Sequence, residues 1–407
     1  MDGRQQRGLQ IVASGKVVEG AGTWHVASQR NVGGHGYRVN PWSQSCTCPD
    51  HQELNIRCKH IWAVLITMEK ETPEGTVTET TRITYSQEWS SYNRAQVEEK
   101  DTFMRLLADL CSSVPQPPQG LGRPRLPLSD MAFSSAFKVY SRFSSRRFSS
   151  DLREAQERGL IQRAPHFNSV SNYLSSPTLT PVLQDLITTS SLPLRALESD
   201  FAADSSGFTT SRFVRWFDRK HGHLVEEKRR EWVKAHLMVG VRTNVVTAVE
   251  ISGWRDNDSR YFPALLGATA EHFDMAEVSA DKAYLSRRNL ELVEGVGAVP
   301  FIPFKSNTTP MLDLQDSPWA RMYHLFAYQR EEFLSRYHKR SNVETAFSMI
   351  KGKFGDGVLS KSPTGMANEV LAKVLCHNVV VVGQAVHEFG VDPTFRAGSA
   401  AAQELTA

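Results

Sequence analysis

Four potential metal ligands stand in two close pairs near the start of the chain. Cys46 and Cys48 have one residue between them, and Cys58 and His60 follow with the same spacing after a gap of nine residues. Thiolates and imidazoles are the usual ligands of tetrahedral zinc, and four protein ligands leave no open position for catalysis. The pattern therefore predicts a structural zinc ion. The alternative is that three free cysteines are packed in a core.

Aspartates end two apolar runs that are typical of strands. Asp204 follows Phe-Ala-Ala, and Asp281 follows Val-Ser-Ala. The carboxyl ends of strands are where α/β domains bind ligands, so we expect these two carboxylates to lie close together. Asp200 and Asp218 are the nearest competing residues for the first position.

A helical pattern over 332–353 supplies a third acid. At about 100° per residue, Glu344 shares one face of this helix with Tyr337, Arg340 and Lys351. An acid between two cations suits an enzyme that holds a metal among phosphates. The alternative is a solvent-exposed helix with an ordinary pair between Arg340 and Glu344.

The spacing on this helix resembles the signature of a known family. Tyr, two residues, Arg, three residues, Glu, six residues and Lys is the Y-R-E-K signature of bacterial cut-and-paste insertion-sequence transposases. Residues 201–208 resemble the first aspartate segment of that family, and 279–284 followed by 299–307 resemble the second. The resemblance is specific because the segments occur in the family's order.

This resemblance implies a DNA transposase that cuts at element ends and transfers strands to target DNA. In such an enzyme Asp204, Asp281 and Glu344 would form a catalytic triad that binds two Mg²⁺ or Mn²⁺ ions, and Tyr337, Arg340 and Lys351 would contact DNA phosphates. Double-stranded DNA is the implied partner, and synapsis of two ends implies at least a homodimer. The alternatives are a domesticated DNA-binding protein and a metal-dependent nuclease without strand transfer.

The two ligand pairs near the N-terminus resemble the SWIM zinc finger, in which strands precede the ligands and an apolar helix follows them. The match covers about residues 24–70. Asp50 and His51 are possible competing ligands, but they lie in the gap between the pairs, where we expect a loop. The resemblance leaves open whether the module binds DNA or another protein.

Changes in composition divide the chain into five segments, and the expected fold class is α/β. We expect a zinc module of two strands and a helix at 1–72, a linker with a helix at 73–124, a helical DNA-binding or dimerisation region at 125–195, an α/β domain at 196–388 and a flexible tail at 389–407. The transposase resemblance implies that the α/β domain has the RNase H-like fold, with a mixed sheet and flanking helices.

The helical region carries a local excess of positive charge. Residues 121–165 hold nine Lys and Arg against four acids. Arg146 and Arg147 lie among aromatic residues, which is typical of a nucleic-acid contact and makes them candidates for binding DNA. An ordinary solvated helix face is the alternative.

Net charge and apolar patterning exclude broader function classes. The net charge is +3, from 47 Lys and Arg against 44 Asp and Glu, and this excess is too small to indicate an anionic partner. The longest apolar run, 370–386, is interrupted by Lys373, His377 and Asn378, so we expect a buried helix there and no membrane contact. The N-terminus lacks an export signal, which favours a cytoplasmic, nucleoid-associated protein.

Overall fold

The computed structural model describes residues 4, 7–8, 11–12, 17–20, 23–27, 36–41, 43–54, 56–71, 89–122, 124–210, 232–305, 308, 317–393 and 395. The chain divides into two compact units, the first formed mainly by residues 1–81 and the second by most of the remainder. Most of the predicted linker before residue 89 and of the predicted tail after residue 393 lies outside the described residues.

The first unit is built on a four-stranded antiparallel sheet. Its strands are β1 (Val17–Gly20), β2 (Thr23–Ala27), β3 (Gly36–Asn40) and β4 (Ser45–Cys46), in that order across the sheet, and helices α1 (Pro49–Leu54) and α2 (Lys59–Glu71) follow. Trp24, Val26 and Val39 pack with Ile61 and Val64 of α2 in a small core.

Two expectations for this unit were wrong. The unit has more strands than the predicted pair, because β1 and β4 are too short to show a readable alternation of apolar residues. The gap between the ligand pairs contains a helix, α1, where we expected a loop.

The second unit contains a mixed five-stranded sheet. Its strands are β5 (Asp200–Thr209), β6 (Trp232–Gly240), β7 (Val246–Gly253), β8 (Glu277–Ala280) and β9 (Val299–Phe301), arranged in the order β7-β6-β5-β8-β9. β6 is antiparallel to both of its neighbours, whereas β5, β8 and β9 run parallel to one another. This is the RNase H-like arrangement that the family resemblance predicts, and β6 and β7 form a hairpin.

Helices cover both faces of the sheet, because alternate residues of β5 point to opposite sides. Ala202 and Phe208 share one core with the helices before the sheet and the last two helices of the chain, whereas Phe201 and Ala203 share another core with the helices between them. A short helix, α3 (Trp89–Val97), comes first. The helices on the first side are α4 (Glu99–Cys111), α5 (Leu128–Ser141), α6 (Ser149–Glu157), α7 (Phe167–Leu174), α8 (Leu179–Ser191), α13 (Ser341–Phe354) and α14 (Pro363–Phe389). The helices on the second side are α9 (Phe262–Ala270), α10 (Arg287–Gly295), α11 (Pro318–Tyr328) and α12 (Arg330–Tyr337).

The predicted helical region therefore shares its hydrophobic core with the sheet. Residues of α5 and α8, such as Phe137 and Leu183, belong to the same core as Leu237 of β6 and Leu375 of α14. The boundaries at 124, 195 and 388 stay predictions, since this continuous core marks no division at them.

Helix α14 is long and apolar enough to cross a membrane by length and composition alone, but most of its apolar window is buried inside the protein. It packs against α8 and the sheet in the shared core, so the predicted buried helix is confirmed. Its polar residues are hydrogen-bonded: Asn378 accepts a hydrogen bond from the amide of Val246 at 2.9 Å and donates to the carbonyls of Val246 and Ile187 and to the Ser190 hydroxyl.

The predicted single helix over 332–353 is interrupted. Helix α12 ends at Tyr337, a 3₁₀ turn covers His338–Arg340, and α13 begins at Ser341. The turn winds more tightly where the side chain of Lys339 forms ion pairs with the sheet. Helix α13 ends before Gly355, whose φ of 83° is favourable only for glycine.

Replacing Asn378 with Ala should destabilise the second unit by about 2–4 kcal/mol, because it leaves buried backbone groups of β7 and α8 without partners. The shift in the urea midpoint measures this loss. The exposed Asn172→Ala on α7 is the matched control and should change the midpoint little. An Asn378→Ala protein as stable as the wild type would contradict the anchoring role.

Stability should also fall in mild acid because of two buried histidines. Burial lowers the pKa of His377 to about 4 and that of His236 to about 4, from an ordinary value of 6.5. Below pH 6.5 the unfolded chain binds a proton at each site and the folded chain does not. The free energy of unfolding is therefore constant above this pH and falls between pH 6.5 and 4, by about 1.4 kcal/mol per histidine at pH 5.5.

Urea unfolding at pH 7.5 and 5.5 measures this effect. His377→Gln keeps a donor for the carbonyl of Asn244, the acceptor of the native Nε2–H. This variant should lose about half of the histidine contribution to the pH dependence. An unchanged pH dependence would exclude His377 as a source.

Candidate active site and candidate metal centre

Strands β5 and β8 place two carboxylates side by side. Ala203 pairs with Ala280 in the parallel ladder, so Asp204 and Asp281 are the next residues at the carboxyl end of that ladder. Each carboxylate accepts a hydrogen bond from the amide of the residue that follows it, at 2.8 Å for Asp204 and 2.6 Å for Asp281. These local bonds hold both side chains at the end of the strand pair.

Arg340 joins the third acid to this pair. Its Nη1 donates to Asp204 at 2.7 Å, and its Nη2 donates to Glu344 at 2.7 Å. Asp204 is largely buried and Glu344 is mostly exposed. Asp204 thus follows the same ladder pair as Asp281 and is joined to Glu344 through Arg340, and the charges of both other acids act on it. In the described part of the chain, the oxygens of the three acids do not all lie within 4.8 Å of one another.

The environment of Asp204 shows how the carboxylates influence one another. Burial raises the pKa of Asp204, and the charges of Asp281 and Glu344 raise it further, whereas the Ser205 amide and the Arg340 guanidinium oppose the shift. The pKa of Arg340 is itself raised: burial works against the shift, and the neighbouring acids outweigh it. A cation beside Asp204 therefore favours the ionised form of this carboxylate.

The other residues of the predicted helix face also reach this region. Lys351 Nζ donates to the Ser206 hydroxyl at 2.6 Å, two residues beyond Asp204 on β5. The Arg340 guanidinium lies 5.9 Å from the centre of the Tyr337 ring. Burial raises the pKa of Tyr337 to about 12, so its hydroxyl remains protonated at neutral pH.

Sequence reasoning missed the ion pairs that attach the 3₁₀ turn to the sheet. Lys339 Nζ donates to Asp200 at 2.7 Å and to Glu277 at 2.6 Å, and Arg336 donates to Glu277 at 2.5 Å. Asp200 and Glu277 are register partners in the ladder. No sequence signal gives these long-range pairs. Asp200 is engaged here rather than at the carboxylate cluster, and Asp218 lies outside the described residues.

The contacts of Arg146 and Arg147 do not involve the carboxylate cluster. Both are exposed in the turn before α6, and in the described part of the chain neither forms a salt bridge with the three acids. The Arg146 guanidinium lies 5.8 Å from the centre of the Phe167 ring on α7. Their assignment to DNA stays a prediction.

In the first unit, all four predicted zinc ligands meet in one buried cluster. The three cysteine sulfurs and a nitrogen of His60 lie within 4.8 Å of one another, and His60 Nδ1 is 3.9 Å from both Cys46 and Cys58. Ligands around a tetrahedral zinc ion stand about 3.5–3.8 Å apart, given bonds of about 2.0–2.3 Å. The two competing residues are used elsewhere: His51 bonds to the carbonyl of Ile56, and Asp50 pairs with Arg4.

The electrostatics of this cluster also fit a metal ion. Hydrogen bonding from Cys46 holds the pKa of Cys58 far below its ordinary value, and the pKa of Cys46 is raised by the same contact. The sulfurs thus share protons that a zinc ion would replace. The cluster can hold a zinc ion through three sulfurs and Nδ1 of His60.

Comparisons with known proteins agree with this geometry. Residues 195–379 match the family model of the transposase DDE domain, and residues 37–69 match that of the SWIM zinc finger. The chain is 24% identical over 187 residues to a probable transposase for the insertion sequence element ISA1214 of Archaeoglobus fulgidus. The alignment covers 46% of this chain and 54% of the relative, so the chain spans about half the length of the curated relative that it matches.

The DDE match contains the carboxylate cluster, and the SWIM match contains the four zinc ligands. Residues 195–379 of this chain therefore belong to the transposase DDE domain family, and residues 37–69 form a SWIM zinc finger.

Proposed function

We propose that this protein is a DNA transposase that cleaves phosphodiester bonds at element ends and transfers the strands to target DNA. The observation that carries the proposal is that Asp204 and Asp281 end the paired segments of β5 and β8 while Arg340 bridges Asp204 to Glu344, within a domain that belongs to the transposase DDE family. The transposase name of the Archaeoglobus fulgidus relative supports the same assignment.

In this proposal the three acids hold two divalent metal ions. Carboxylate oxygens are hard ligands that suit Mg²⁺ or Mn²⁺, and the cluster already attracts a cation, the Arg340 guanidinium. When bound, such ions activate water or a 3′-hydroxyl for attack at phosphorus. Asp204, Asp281 and Glu344 are the proposed catalytic residues.

The residues around the acids have proposed roles in binding and orientation. Arg340 balances the charge of two carboxylates, and with its motif neighbours Tyr337 and Lys351 it is proposed to contact the phosphates beside the cut. The protonated Tyr337 hydroxyl would donate a hydrogen bond to a phosphate oxygen. Arg146 and Arg147 are proposed to contact duplex DNA further from the site.

The proposed partners are double-stranded DNA and a second copy of the chain. Two element ends must be held together during the reaction, which favours a homodimer. The expected location is the cytoplasm, where the DNA is accessible. The zinc finger is proposed to be structural, because its four protein ligands leave no open position on the ion.

Glu344→Gln should abolish cleavage of a supercoiled plasmid that carries the element ends. Replacing a residue that only supports a metal ligand lowers metal affinity or activity by about 10–100-fold. Loss of a ligand itself should therefore lower the cleavage rate by more than about 100-fold. Agarose gels measure nicked and linear products with Mg²⁺ or with EDTA. The exposed Glu331→Gln on α12 is the matched control and should cut like the wild type.

The products separate the alternatives. Cleavage by Glu344→Gln at the wild-type rate would refute the catalytic assignment. Cutting without joined products would identify a nuclease that lacks strand transfer. Specific binding of the ends without any metal-dependent cutting would identify a domesticated DNA-binding protein.

The purified protein should contain one zinc ion per chain, and Cys58→Ser should lose it. Structural zinc contributes about 10–16 kcal/mol in small zinc modules, so the first unit should unfold without the ion. Metal analysis gives the zinc content, and trypsin cleavage after Arg57 or Lys59 reports unfolding. Cys111→Ser is the control, because Cys111 is buried in the second unit outside the cluster. Full zinc content in Cys58→Ser would overturn the site.

A further inference from the structure

Four cations on and next to the Y-R-E-K motif form ion pairs or hydrogen bonds with other residues of the protein. Two of them lie in the 3₁₀ turn, one before it in α12 and one after it in α13. Their partners are Glu277 for Arg336, Asp200 and Glu277 for Lys339, Asp204 and Glu344 for Arg340, and the Ser206 hydroxyl for Lys351. A DNA duplex carries one charge per about 1.7 Å, so further cations are needed to neutralise its backbone.

Two segments on the Asp281 side of the site are joined by hydrogen bonds. The Asn289 amide, in the first turn of α10, donates to the Ser259 hydroxyl at 3.0 Å and to the carbonyl of Tyr284 at 2.7 Å. These bonds connect the residues after β7 to the residues after Asp281. Tyr284 is completely buried beneath them. The two segments therefore form one fixed surface.

This surface is rich in exposed cations. Lys282 directly follows Asp281 and is exposed, and its exposed neighbours on the joined segments are also basic. In the described part of the chain, the side chains of Arg260, Lys282 and Arg288 form no salt bridge. The exposed cations are Arg255, Arg260, Lys282, Arg287 and Arg288.

The acids in the same segments oppose this charge only in part. Asp258 pairs with Lys234 at 2.6 Å, and Asp256 accepts hydrogen bonds from the Tyr261 hydroxyl and the Gly253 amide. Glu291 is exposed one turn into α10. Arg255, Arg260, Lys282 and Arg288 alone outnumber the exposed acids Glu291 and Glu294, the second of which pairs with Arg321. The surface therefore attracts anions.

Two cations of this surface lie where they destabilise a helix. Arg287 and Arg288 occupy the first turn of α10, which contains no acid. The partial positive charge at a helix N-terminus repels cations, so two arginines there destabilise the helix. A bound polyanion would remove this repulsion.

An exposed aromatic residue lies at the edge of the same surface. Trp254 is 38% exposed, and the Arg255 guanidinium lies 4.6 Å from the centre of its ring. This cation–π contact holds the Arg255 guanidinium at the surface. Arg255 therefore adds a fixed positive charge to the surface.

We propose that the surface formed by Arg255, Arg260, Lys282, Arg287 and Arg288, the 255–288 surface, binds the phosphate backbone of duplex DNA beside the bond that is cut. The inference rests on the proposed transposase function and extends it, because it identifies a second group of phosphate contacts outside the Y-R-E-K helix. Since Lys282 adjoins Asp281, DNA held here lies directly next to the carboxylate cluster.

The test compares full-length variants in binding to a fluorescent 30-base-pair duplex at several salt concentrations. Arg260→Ala with Arg288→Ala removes about two phosphate contacts, so the slope of log K against log salt should fall by about 1.8 and affinity by about 10-fold. Arg105→Ala with Arg195→Ala is the control, since it removes two exposed arginines from elements that carry no part of the surface. Arg260→Lys with Arg288→Lys keeps both charges and should retain the slope.

The outcomes separate this inference from the proposed function. A wild type that cuts DNA, together with an Ala double variant of unchanged slope, overturns the surface and leaves the transposase standing. A reduced slope in a protein that never cuts supports the surface and removes the catalytic proposal. A Lys variant as weak as the Ala variant also overturns the inference, because charge would then not be the cause.

Discussion

The register between the parallel strands β5 and β8 is the constraint on which the candidate active site depends. Ala203 faces Ala280, and this pairing places the two aspartates at equivalent positions. A shift of one residue would turn one carboxylate to the opposite face of the sheet. Two contacts hold the register: the Ser279 hydroxyl donates to the carbonyl of Phe201, and Lys339 joins the first paired residues of the two strands.

The third acid depends on a different set of contacts, made by the polar residues of α14. Lys373 is buried and donates to the carbonyls of Gly355 and Gly357, at the end of α13. Glu369 accepts hydrogen bonds from the amides of Leu359 and Ser360 in the same connection. The connection is also bonded to the end of β5 through Thr209. The helix that carries Glu344 is thus held at its carboxyl end by the core helix and by the strand that carries Asp204.

Sequence patterns were informative where the chemistry is local. The zinc ligands occur in two pairs with fixed spacing, and the acids at 204 and 281 follow apolar runs that the structure shows as strands. The core helix α14 was also predicted, because its apolar residues form a long run. Even the interruptions of α14 were informative: Lys373 and Asn378 break an apolar run and prove to be hydrogen-bonded anchors.

Long-range pairing left no comparable signal. The 3₁₀ turn at 338–340 forms where Lys339 reaches two acids that are more than sixty residues away in the chain, and helical periodicity does not register such partners. The shared core of the early helices and the sheet was missed for the same reason. An apolar helix face shows that it is buried but does not show which surface covers it.

The cations in and beside the 3₁₀ turn have two different functions: one balances the acids of the carboxylate cluster, and the others attach the turn to the sheet. Arg340 balances Asp204 and Glu344, two of the proposed metal ligands, whereas Lys339 and Arg336 bind Asp200 and Glu277, which lie at the start of the strands. Burial lowers the pKa of Lys339, but its two carboxylate partners raise it above the ordinary value, so this ion pair remains charged. Because it lies outside the carboxylate cluster, a cation that displaces the Arg340 guanidinium does not release the turn. The geometry that brings Glu344 to the aspartates is therefore maintained by charges that take no part in the site.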